Sequence, residues 1–378
     1  MRPSPHRRPL VGLLAVPVLL AVVAAPAGAA PDPVFTPERF GTASQPYSID
    51  AGDLDGDGRL DIVVGHVGAD AVTILFGNSS GGFDRTDVAT PSGSNSYAVD
   101  VGDVEGDGDL DVVAADRSVA PGLTVLRNDG SGTLAVESNA GRTMTDLVLV
   151  DVDGDGDLDV VATSFVSGEV LTLTNDGTGS FTTSVAASGF NGVYGITAAD
   201  LDADGHVDVA VADRYTETVE VLFGDGIGAF PARSSFAVGS GPNGIAAVDL
   251  DGDGDIDLAT SDAFGHTVSV LTNDGAGTFV AASPIAVGMQ PWSIDASDLD
   301  GDGDVDLVTA NRSSNNVTVL LGDDDGGFTR IDVGTGTGTW PNELVAADLD
   351  ADGDVDVATA NTNGNDTTVL WGQSLPGV

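Results

Sequence analysis

Acidic residues recur at fixed positions in seven short segments of this sequence. Each segment follows the pattern Asp-x-Asp-x-Asp-Gly-x-x-Asp, with Glu105 as the one exchange of an acidic position, and position 6 is Gly in every copy. Carboxylates this close repel one another unless a cation lies between them. Hard carboxylate and carbonyl oxygens at alternate positions suit Ca²⁺, and Gly lets the chain turn tightly around an ion. The spacing therefore predicts up to seven calcium loops.

The candidate metal-ligating residues occupy positions 1, 3, 5, 7 and 9 of each segment. They are Asp53, Asp55, Asp57, Arg59 and Asp61; Asp103, Glu105, Asp107, Asp109 and Asp111; Asp151, Asp153, Asp155, Asp157 and Asp159; Asp200, Asp202, Asp204, His206 and Asp208; Asp249, Asp251, Asp253, Asp255 and Asp257; Asp298, Asp300, Asp302, Asp304 and Asp306; Asp348, Asp350, Asp352, Asp354 and Asp356.

Two other interpretations apply to these segments. Solvated acidic turns are the simpler one, because Asp and Gly are ordinary loop residues, but seven copies with one spacing argue against it. An EF-hand needs a bidentate Glu at position 12 and a helix on each side. Position 12 here is Val, Ala or Thr and the flanks are rich in β-formers, so the EF-hand interpretation fails.

The composition of the chain excludes some classes of binding partner. The formal net charge is −46, and the sequence contains neither Lys nor Cys. Such a charge repels nucleic acid and anionic lipid, so neither is an expected partner. Without Cys there are no disulfides, and metal is the remaining means of holding long loops in place.

The first 30 residues predict a signal peptide. Basic residues (Arg2, Arg7 and Arg8) precede an apolar run at 10–25 and a small-residue stretch at 27–30, which is the order of a secretory leader. An uncleaved membrane anchor is the alternative, although the run is short for a span. Pro9 follows the Arg pair, which favours the general secretory route over twin-arginine export. We expect a secreted protein, with residues 31–378 as the mature chain and no membrane span in it.

The seven segments begin 48 to 50 residues apart, which indicates a repeat architecture. In each unit short β-forming runs enter and leave the acidic segment, a third run alternates, and an Asn-Asp-Gly type turn leads to a fourth. Seven units of four strands predict an all-β, seven-bladed β-propeller of antiparallel blades as a single domain. The last unit lacks a fourth run, so we expect the N-terminal run at 35–40 to close it. Positions 2 and 8 of the segments are aliphatic and are predicted to point into the blades.

The acidic pattern at 249–257, followed by the run at 268–279, resembles the FG-GAP/VCBS repeat family, whose blades also form the calcium-bearing propeller head of integrin α chains. This resemblance covers residues 33–372. It implies ligation of Ca²⁺ through the side chains at positions 1, 3, 5 and 9 and the carbonyl at position 7. Departures from the family pattern are Glu105, and Ala203 and Ala351 in place of Gly at position 4.

Chain direction sorts the remaining loops between two faces. The acidic segments and the Asn-Asp-Gly turns share one face, and the opposite face carries a set of aromatic and Arg residues typical of recognition sites. The set is Tyr47, Tyr97, Tyr194, Tyr215, Trp292, Trp340, Arg117, Arg142, Arg214 and Arg312. We predict that it docks a glycan or an extracellular protein. The alternative is that these residues wedge between blades beside prolines.

Catalysis has little support in the sequence, and no catalytic residue is assigned. No Ser-His-Asp order or nucleophile elbow stands out. Asp50, Asp100 and Asp295 fall on the strands next to the channel, where they act either as acid and base or as solvated residues. The first hypothesis is therefore a secreted, monomeric calcium-binding propeller that serves as a binding or adhesion module. A carbohydrate-active enzyme, either a polysaccharide lyase or a hydrolase, is the alternative, and a purely structural role is a third.

Overall fold

A computed structural model of the protein describes residues 33–117, 122–139, 141–323 and 326–373. All regular structure in these ranges is β, and it forms seven antiparallel sheets arranged in a ring. This confirms the predicted all-β, seven-bladed propeller. The predicted signal peptide, 1–30, lies outside the described residues. Within those ranges we find no helix with the length and apolar character that a membrane crossing requires.

Each blade runs outward from an innermost strand. The strands of the first four blades are β2 (Pro46–Gly52), β3 (Asp61–His66), β4 (Ala71–Gly77) and β5 (Phe83–Ala89); β6 (Ser96–Gly102), β7 (Asp111–Asp116), β8 (Leu123–Asn128) and β9 (Leu134–Asn139); β10 (Asp146–Val150), β11 (Asp159–Ser164), β12 (Glu169–Asn175) and β13 (Phe181–Ser188); β14 (Val193–Ala199), β15 (Asp208–Asp213), β16 (Thr218–Phe223) and β17 (Ala232–Ala237).

The remaining blades follow the same order. They are β18 (Pro242–Val248), β19 (Asp257–Asp262), β20 (Thr267–Asn273), β21 (Phe279–Ala281) and β22 (Ile285–Ala286); β23 (Pro291–Ser297), β24 (Asp306–Asn311), β25 (Asn316–Gly322) and β26 (Phe328–Gly334); β27 (Pro341–Ala347), β28 (Asp356–Asn361), β29 (Asp366–Trp371) and β1 (Thr36–Gly41). In the fifth blade the outer strand is split into β21 and β22. Pro284 lies between the two pieces and has no N–H to donate to the sheet.

The ring closes at both its outer and its inner rim. The N-terminal strand β1 pairs antiparallel with β29, from Thr36 opposite Trp371 to Gly41 opposite Asp366, which confirms the predicted closure of the last blade. Each innermost strand contacts the innermost strand of the next blade, and β27 contacts β2. No edge therefore separates the last blade from the first.

Apolar side chains form seven clusters, each shared by two neighbouring blades. Leu54, at position 2 of the first segment, packs with residues of blades one and two, whereas Leu60, at position 8, packs with residues of blades seven and one. The prediction that these side chains point into the interior of a blade was wrong: each blade is a single sheet, and the side chains are buried between two neighbouring blades. Position 2 faces the following blade and position 8 the preceding one, so each acidic segment is anchored between two sheets.

Candidate metal loops and the opposite face

The first Asp of each acidic segment organises its loop through backbone hydrogen bonds. In all seven segments the N–H of the position 6 Gly donates to Oδ2 of the position 1 Asp at 2.9–3.1 Å. These glycines have φ between +86° and +100°, and a Cβ added to any of them would meet nothing within 4 Å. The left-handed conformation, and not a lack of space, is therefore what requires Gly.

The two substitutions at position 4 keep the loop shape. Ala203 has φ of 58° and Ala351 of 62°, while Gly at the same position in the other loops has φ of 70–76°. A side chain in this region costs on the order of 1 kcal/mol relative to Gly. These loops therefore carry a small strain and have the geometry of their neighbours.

The last Asp of each segment joins the acidic loop to the neighbouring turn, a role that the sequence pattern did not reveal. Asp61 is fully buried, its Oδ2 accepts the N–H of Leu54 at 2.8 Å, and its Oδ1 accepts the N–H of Gly77 at 2.8 Å. The other six segments repeat both bonds, at 2.7–3.1 Å and 2.7–2.8 Å. Burial raises the pKa of Asp61 to about 6 and that of Asp306 to about 7.

Three carboxylates converge in at least five of the loops. The loops that begin at Asp53 and Asp298 bring together the carboxylates of positions 1, 3 and 5. The loops that begin at Asp151, Asp200 and Asp249 bring together those of positions 1, 3 and 9. Within each set of three, one oxygen from each carboxylate lies within 4.8 Å of the others. Oδ1 of Asp153 is buried and has no hydrogen-bond partner. An all-oxygen set with an unpaired carboxylate oxygen fits a hard cation such as Ca²⁺.

Side chains at positions 3 and 7 differ among loops. Glu105, the exchanged residue of the second loop, is ion-paired with Arg127, so its carboxylate already has a cationic partner. Arg59, whose carbonyl is the predicted ligand, turns its guanidinium to Asp57 at 2.6 Å. The position 7 side chains Asp157 and His206 lie against the glycines of the adjacent turn. The side chains of Arg59, Asp157 and His206 thus have contacts with Asp57 or with the adjacent turn, and the carbonyl at position 7 remains the donor that the family pattern implies.

On the opposite face, the predicted aromatic residues pack against one another over the channel mouth. Tyr47, Tyr97, Tyr194 and Trp292 each stand six residues before an acidic segment, in blades one, two, four and six. The rings of Tyr47 and Tyr97 lie 4.6 Å apart, those of Tyr194 and Trp292 lie 6.2 Å apart, and Trp292 Nε1 donates to the Tyr47 hydroxyl at 3.2 Å. We call these four residues the aromatic plug.

Three of the predicted arginines stack on the aromatic rings of this face. Arg117 lies 4.9 Å from the rings of both Tyr97 and Phe165. Arg214 lies 4.6–5.1 Å from Tyr194, Phe264 and Trp292. Arg312 lies between Trp292 and Trp340, at 4.7 Å and 5.1 Å. The contact between the rings of Phe165 and Tyr194, at 5.1 Å, joins these cation–π contacts into one network that extends across several blades.

The arginines of the network differ from the others in their partners. Within the described ranges, Arg117, Arg214 and Arg312 form no ion pair, whereas seven other arginines each pair with a carboxylate, including Arg142 with Glu169 at 2.7 Å. Arg142, predicted for this set, is therefore engaged elsewhere.

The network leaves some of its aromatic surface exposed. Tyr215 is 55% exposed, Phe264 48% and Trp340 44%, while Arg214 is buried. Sequence reasoning missed Phe165 and Phe264. Aligning the repeats would have identified them, since Phe165 occupies the same position in its repeat as Arg117 does, and Phe264 the same position as Tyr215. The structure places the inner rings in mutual packing and the outer ones at the surface.

Five acidic residues on the innermost strands tie neighbouring blades together. Each carboxylate accepts a backbone N–H of the next blade; the pairs are Asp50 with Val101 (2.9 Å), Asp100 with Leu149 (2.8 Å), Asp146 with Ile196 (3.2 Å), Asp295 with Ala346 (2.9 Å) and Glu343 with Ile49 (3.1 Å). Burial raises the pKa of Asp100 to about 6 and that of Asp146 to about 7. Asp50, Asp100 and Asp295 thus have a structural role that neither of the two sequence interpretations anticipated.

The two remaining blade junctions use glycine instead of a carboxylate. A Cβ added to Gly195 would lie 2.3 Å from the carbonyl oxygen of Asn243, and one added to Gly244 would lie 2.9 Å from Cα of Ser293. Backbones approach closely there because no side chain separates them.

Comparison with known protein families matches the repeat over most of the chain. The FG-GAP-like repeat pattern matches six overlapping segments, at 53–114, 106–162, 151–211, 200–260, 249–309 and 298–359. The chain belongs to the FG-GAP-like repeat family. Each FG-GAP-like match begins at or near one acidic segment and ends beyond the next, so it spans the blade between them.

Solved structures support the fold of this FG-GAP-like chain. Two that resemble it are titled crystal structures of BBS1N in complex with ARL6DN, one soaked with lead and one with mercury. Their TM-scores are 0.62 and 0.60 and their identities 13% and 12%; each match covers 89% of this chain and 95% of the other. At such identities the likeness concerns the fold alone. No curated protein sequence matches the chain.

Proposed function

We propose that this FG-GAP-like propeller is a secreted, calcium-stabilised binding module that docks a protein or glycan on its aromatic–arginine face. The observation that carries the proposal is the composition of that face. Three arginines that pair with no carboxylate among the described residues lie there with three exposed aromatic rings, on a chain whose net charge is −46. Aromatic and Arg side chains are the residues that most often dominate binding energy at interfaces.

Calcium has a structural part in this proposal. Side chains at positions 1, 3, 5 and 9 and the carbonyl at position 7 would hold the ion, and the buried, unpaired Oδ1 of Asp153 supports that assignment. A bound ion supplies positive charge among carboxylates that otherwise repel one another. It would also fix the turn between the first two strands of a blade, and so the position of the sheet. Millimolar extracellular calcium suits such loops, in line with the predicted leader.

A protein ligand is consistent with the fold comparison, since BBS1N was solved in complex with ARL6DN. Glycan binding is supported by the exposed aromatic rings alone. Enzymatic turnover has less support. The cavity beneath the aromatic plug has a volume of about 50 Å³, far below the several hundred Å³ of a typical small-molecule site. A larger cavity of about 560 Å³ lies beside Arg142 and Val185, with no acidic side chain among its described lining residues.

The proposal is tested by binding measurements on matched variants. Trp340→Ala and Tyr215→Ala should each weaken binding to glycan arrays or to cell surfaces in calcium-containing buffer. Ile227→Ala is the control, because Ile227 is 76% exposed and lies in a turn on the calcium-loop face. Equal losses in all three variants would contradict the proposed docking face. Release of products from a polysaccharide would instead establish the lyase or hydrolase alternative.

A further inference from the structure

A small, partly open cavity lies in the channel beneath the aromatic plug. Its volume is about 50 Å³, and its lining includes the side chains of Asp146, Ser293, Asn342 and Glu343. These residues come from the innermost strands of blades three, six and seven. A water molecule in the liquid occupies about 30 Å³. The space therefore suits one ion with little accompanying water, and it is too small for a sugar ring.

Two polar atoms of the lining have no partner in the structure. Asn342 is fully buried; its Nδ2 donates to Oγ1 of Thr362, but its Oδ1 has no hydrogen-bond partner, and neither has Oγ of Ser293. Leaving a buried acceptor unsatisfied is energetically costly. An unpaired amide oxygen in a cavity that two carboxylates also line indicates that an electropositive species belongs in this space.

Among the residues that the structure describes, no Arg or His forms an ion pair with Asp146 or Glu343. Oε2 of Glu343 accepts the N–H of Ile49, and no hydrogen bond of its Oε1 is observed within the described ranges. Burial raises the pKa of Glu343, and so do the nearby charges of Asp146, Asp50 and Asp100. Arg214 reaches this region only through Asn243, whose Oδ1 accepts its Nη1 at 3.1 Å. Two carboxylates at this depth must be neutralised, either by bound protons or by a bound cation.

We propose that the channel binds one divalent cation of the calcium class, held by the carboxylates of Asp146 and Glu343, Oδ1 of Asn342 and Oγ of Ser293. Two carboxylates balance a charge of +2, and every donor is a hard oxygen. Mg²⁺ keeps several waters in a tight octahedron, for which the cavity is too small. Ca²⁺ accepts irregular sets of protein oxygens and is the better match.

This site differs from the seven acidic loops in its position, in the parts of the fold that it joins and in the expected rate of ion exchange. It joins blades three, six and seven across the channel, whereas each loop orders one turn at the rim. The aromatic plug covers the site from the opposite face, so exchange of the ion should be slower than exchange at the loops. Failure of the calcium loops to bind ions would defeat the proposed function without bearing on this site.

Counting ions in matched variants of the full chain tests the proposal. Protein stripped with chelator, reloaded with Ca²⁺ and desalted is assayed for bound calcium by plasma mass spectrometry. The double variant Asp146→Asn with Glu343→Gln should retain one ion fewer per chain than the wild type. Asp295→Asn is the control, because Asp295 also ties two blades but does not line the cavity, and its count should equal that of the wild type. Equal counts in the double variant and the wild type would overturn the proposal.

A second measurement, made on the wild-type chain, tests the proposal even if the double variant does not fold. Crystals of the wild-type chain grown with Tb³⁺, a calcium substitute with strong anomalous scattering, should show an anomalous peak between Asp146 and Glu343. A peak at the loops together with only an ordered water in the channel would overturn the proposal. The same holds if the channel takes up Mg²⁺ or Na⁺ in preference to Ca²⁺ in competition.

Discussion

Oε2 of Glu343, in the last blade, accepts the backbone N–H of Ile49, in the first, at 3.1 Å. This bond closes the inner rim of the propeller, while the pairing of β1 with β29 closes the outer rim. Four other carboxylates make the same kind of bond between consecutive blades. The ring is thus held along the channel by side-chain acceptors for backbone N–H groups, in addition to the apolar packing between sheets.

Removing one of these carboxylates should destabilise the ring. Asp295→Ala leaves the N–H of Ala346 without its acceptor, so the free energy of unfolding should fall by about 1–3 kcal/mol. Urea denaturation followed by circular dichroism measures the change. Asp84→Ala, at an exposed position on β5, is the control and should change stability by less than about 0.5 kcal/mol. A loss in the control as large as that in Asp295→Ala would show that the bond between blades is not responsible.

The same carboxylates predict a pH dependence of stability in calcium-free protein. Burial raises the pKa of Asp100 to about 6, whereas an unfolded Asp has a pKa of about 4. Between these values the folded state holds a proton that the unfolded chain has lost, so the free energy of unfolding falls as pH rises through this window. Asp100→Asn removes this contribution. Its stability should decline less between about pH 5 and about pH 7, by about 1 kcal/mol relative to the wild type.

Asp87→Asn controls for a change of charge alone. The neighbouring Arg85 lowers the pKa of Asp87, so its stabilising contribution is present above the unfolded pKa and disappears only in stronger acid. The difference in stability between about pH 5 and about pH 7 should then match that of the wild type. Chemical denaturation in chelator at both pH values provides the comparison. A slope in Asp100→Asn as steep as the wild-type slope would refute the assignment.

Strain at position 4 of the acidic loops predicts a stabilising substitution. Ala203 has φ of 58°, so Ala203→Gly should raise the free energy of unfolding by about 1 kcal/mol. Gly205, at position 6 of the same loop with φ of 89°, gives the reverse test, and Gly205→Ala should destabilise. Both are measured as shifts of the urea midpoint with chelator present, so that ion binding does not contribute. The idea fails if Ala203→Gly is destabilising.

Much of this architecture was predictable from the sequence because it repeats. Seven copies of the acidic segment determine the blade number, and the missing last strand indicates closure by β1, since both follow from period and strand count. The bonds between blades were not predictable. Asp50 and Asp146 stand at different offsets from their segments, and Gly195 replaces a carboxylate at one junction, so no repeated pattern marks the role. Which partner an Asp accepts from is decided by tertiary packing.

The candidate site, like the fold, has features that the sequence predicted and features that it did not. Spacing alone identified the acidic loops, yet it gave no indication that Glu105 pairs with Arg127 or that Asp61 accepts two backbone N–H groups. Leu54 lies within the motif, but Gly77 and Arg127 lie outside it. The aromatic–arginine face was predicted as a set, but its division into a buried plug and an exposed rim depends on which rings contact one another in the folded protein.

The loops should differ in how they respond to loss of position 3. Asp153→Asn removes a carboxylate whose Oδ1 is free to bind an ion, so it should remove one calcium per chain. Glu105→Gln changes a side chain already paired with Arg127 and should leave the ion count unchanged. Calorimetric titration with Ca²⁺ gives both counts. One ion lost from Glu105→Gln as well would show that Glu105 leaves Arg127 to bind metal.

Calcium removal should lower the stability of the whole ring. If the loops bind only in the folded state, calcium at about 100 times the dissociation constant contributes about 2.7 kcal/mol per site. Melting curves with calcium and with chelator should therefore differ strongly, and Asp153→Asn should reduce the difference. Identical curves for the wild type in the two conditions would be incompatible with calcium-dependent loops.

Closure by the N-terminal strand predicts a specific defect when that strand is weakened. The ring of Phe40 lies edge-on to Phe83 in blade one and to Trp371 in blade seven, at 5.1 Å and 6.5 Å, so Phe40 links the two ends of the ring. Phe40→Ala should destabilise the protein by about 2–4 kcal/mol, because the site is partly buried.

The same variant should also oligomerise. Detachment of β1 would expose the edge of β29, and an exposed edge pairs readily with another chain. Light scattering should then show oligomers on mild heating of Phe40→Ala, but not of Val280→Ala, which alters an exposed residue of another blade. Oligomers in both variants, or in neither, would show that β1 does not protect that edge.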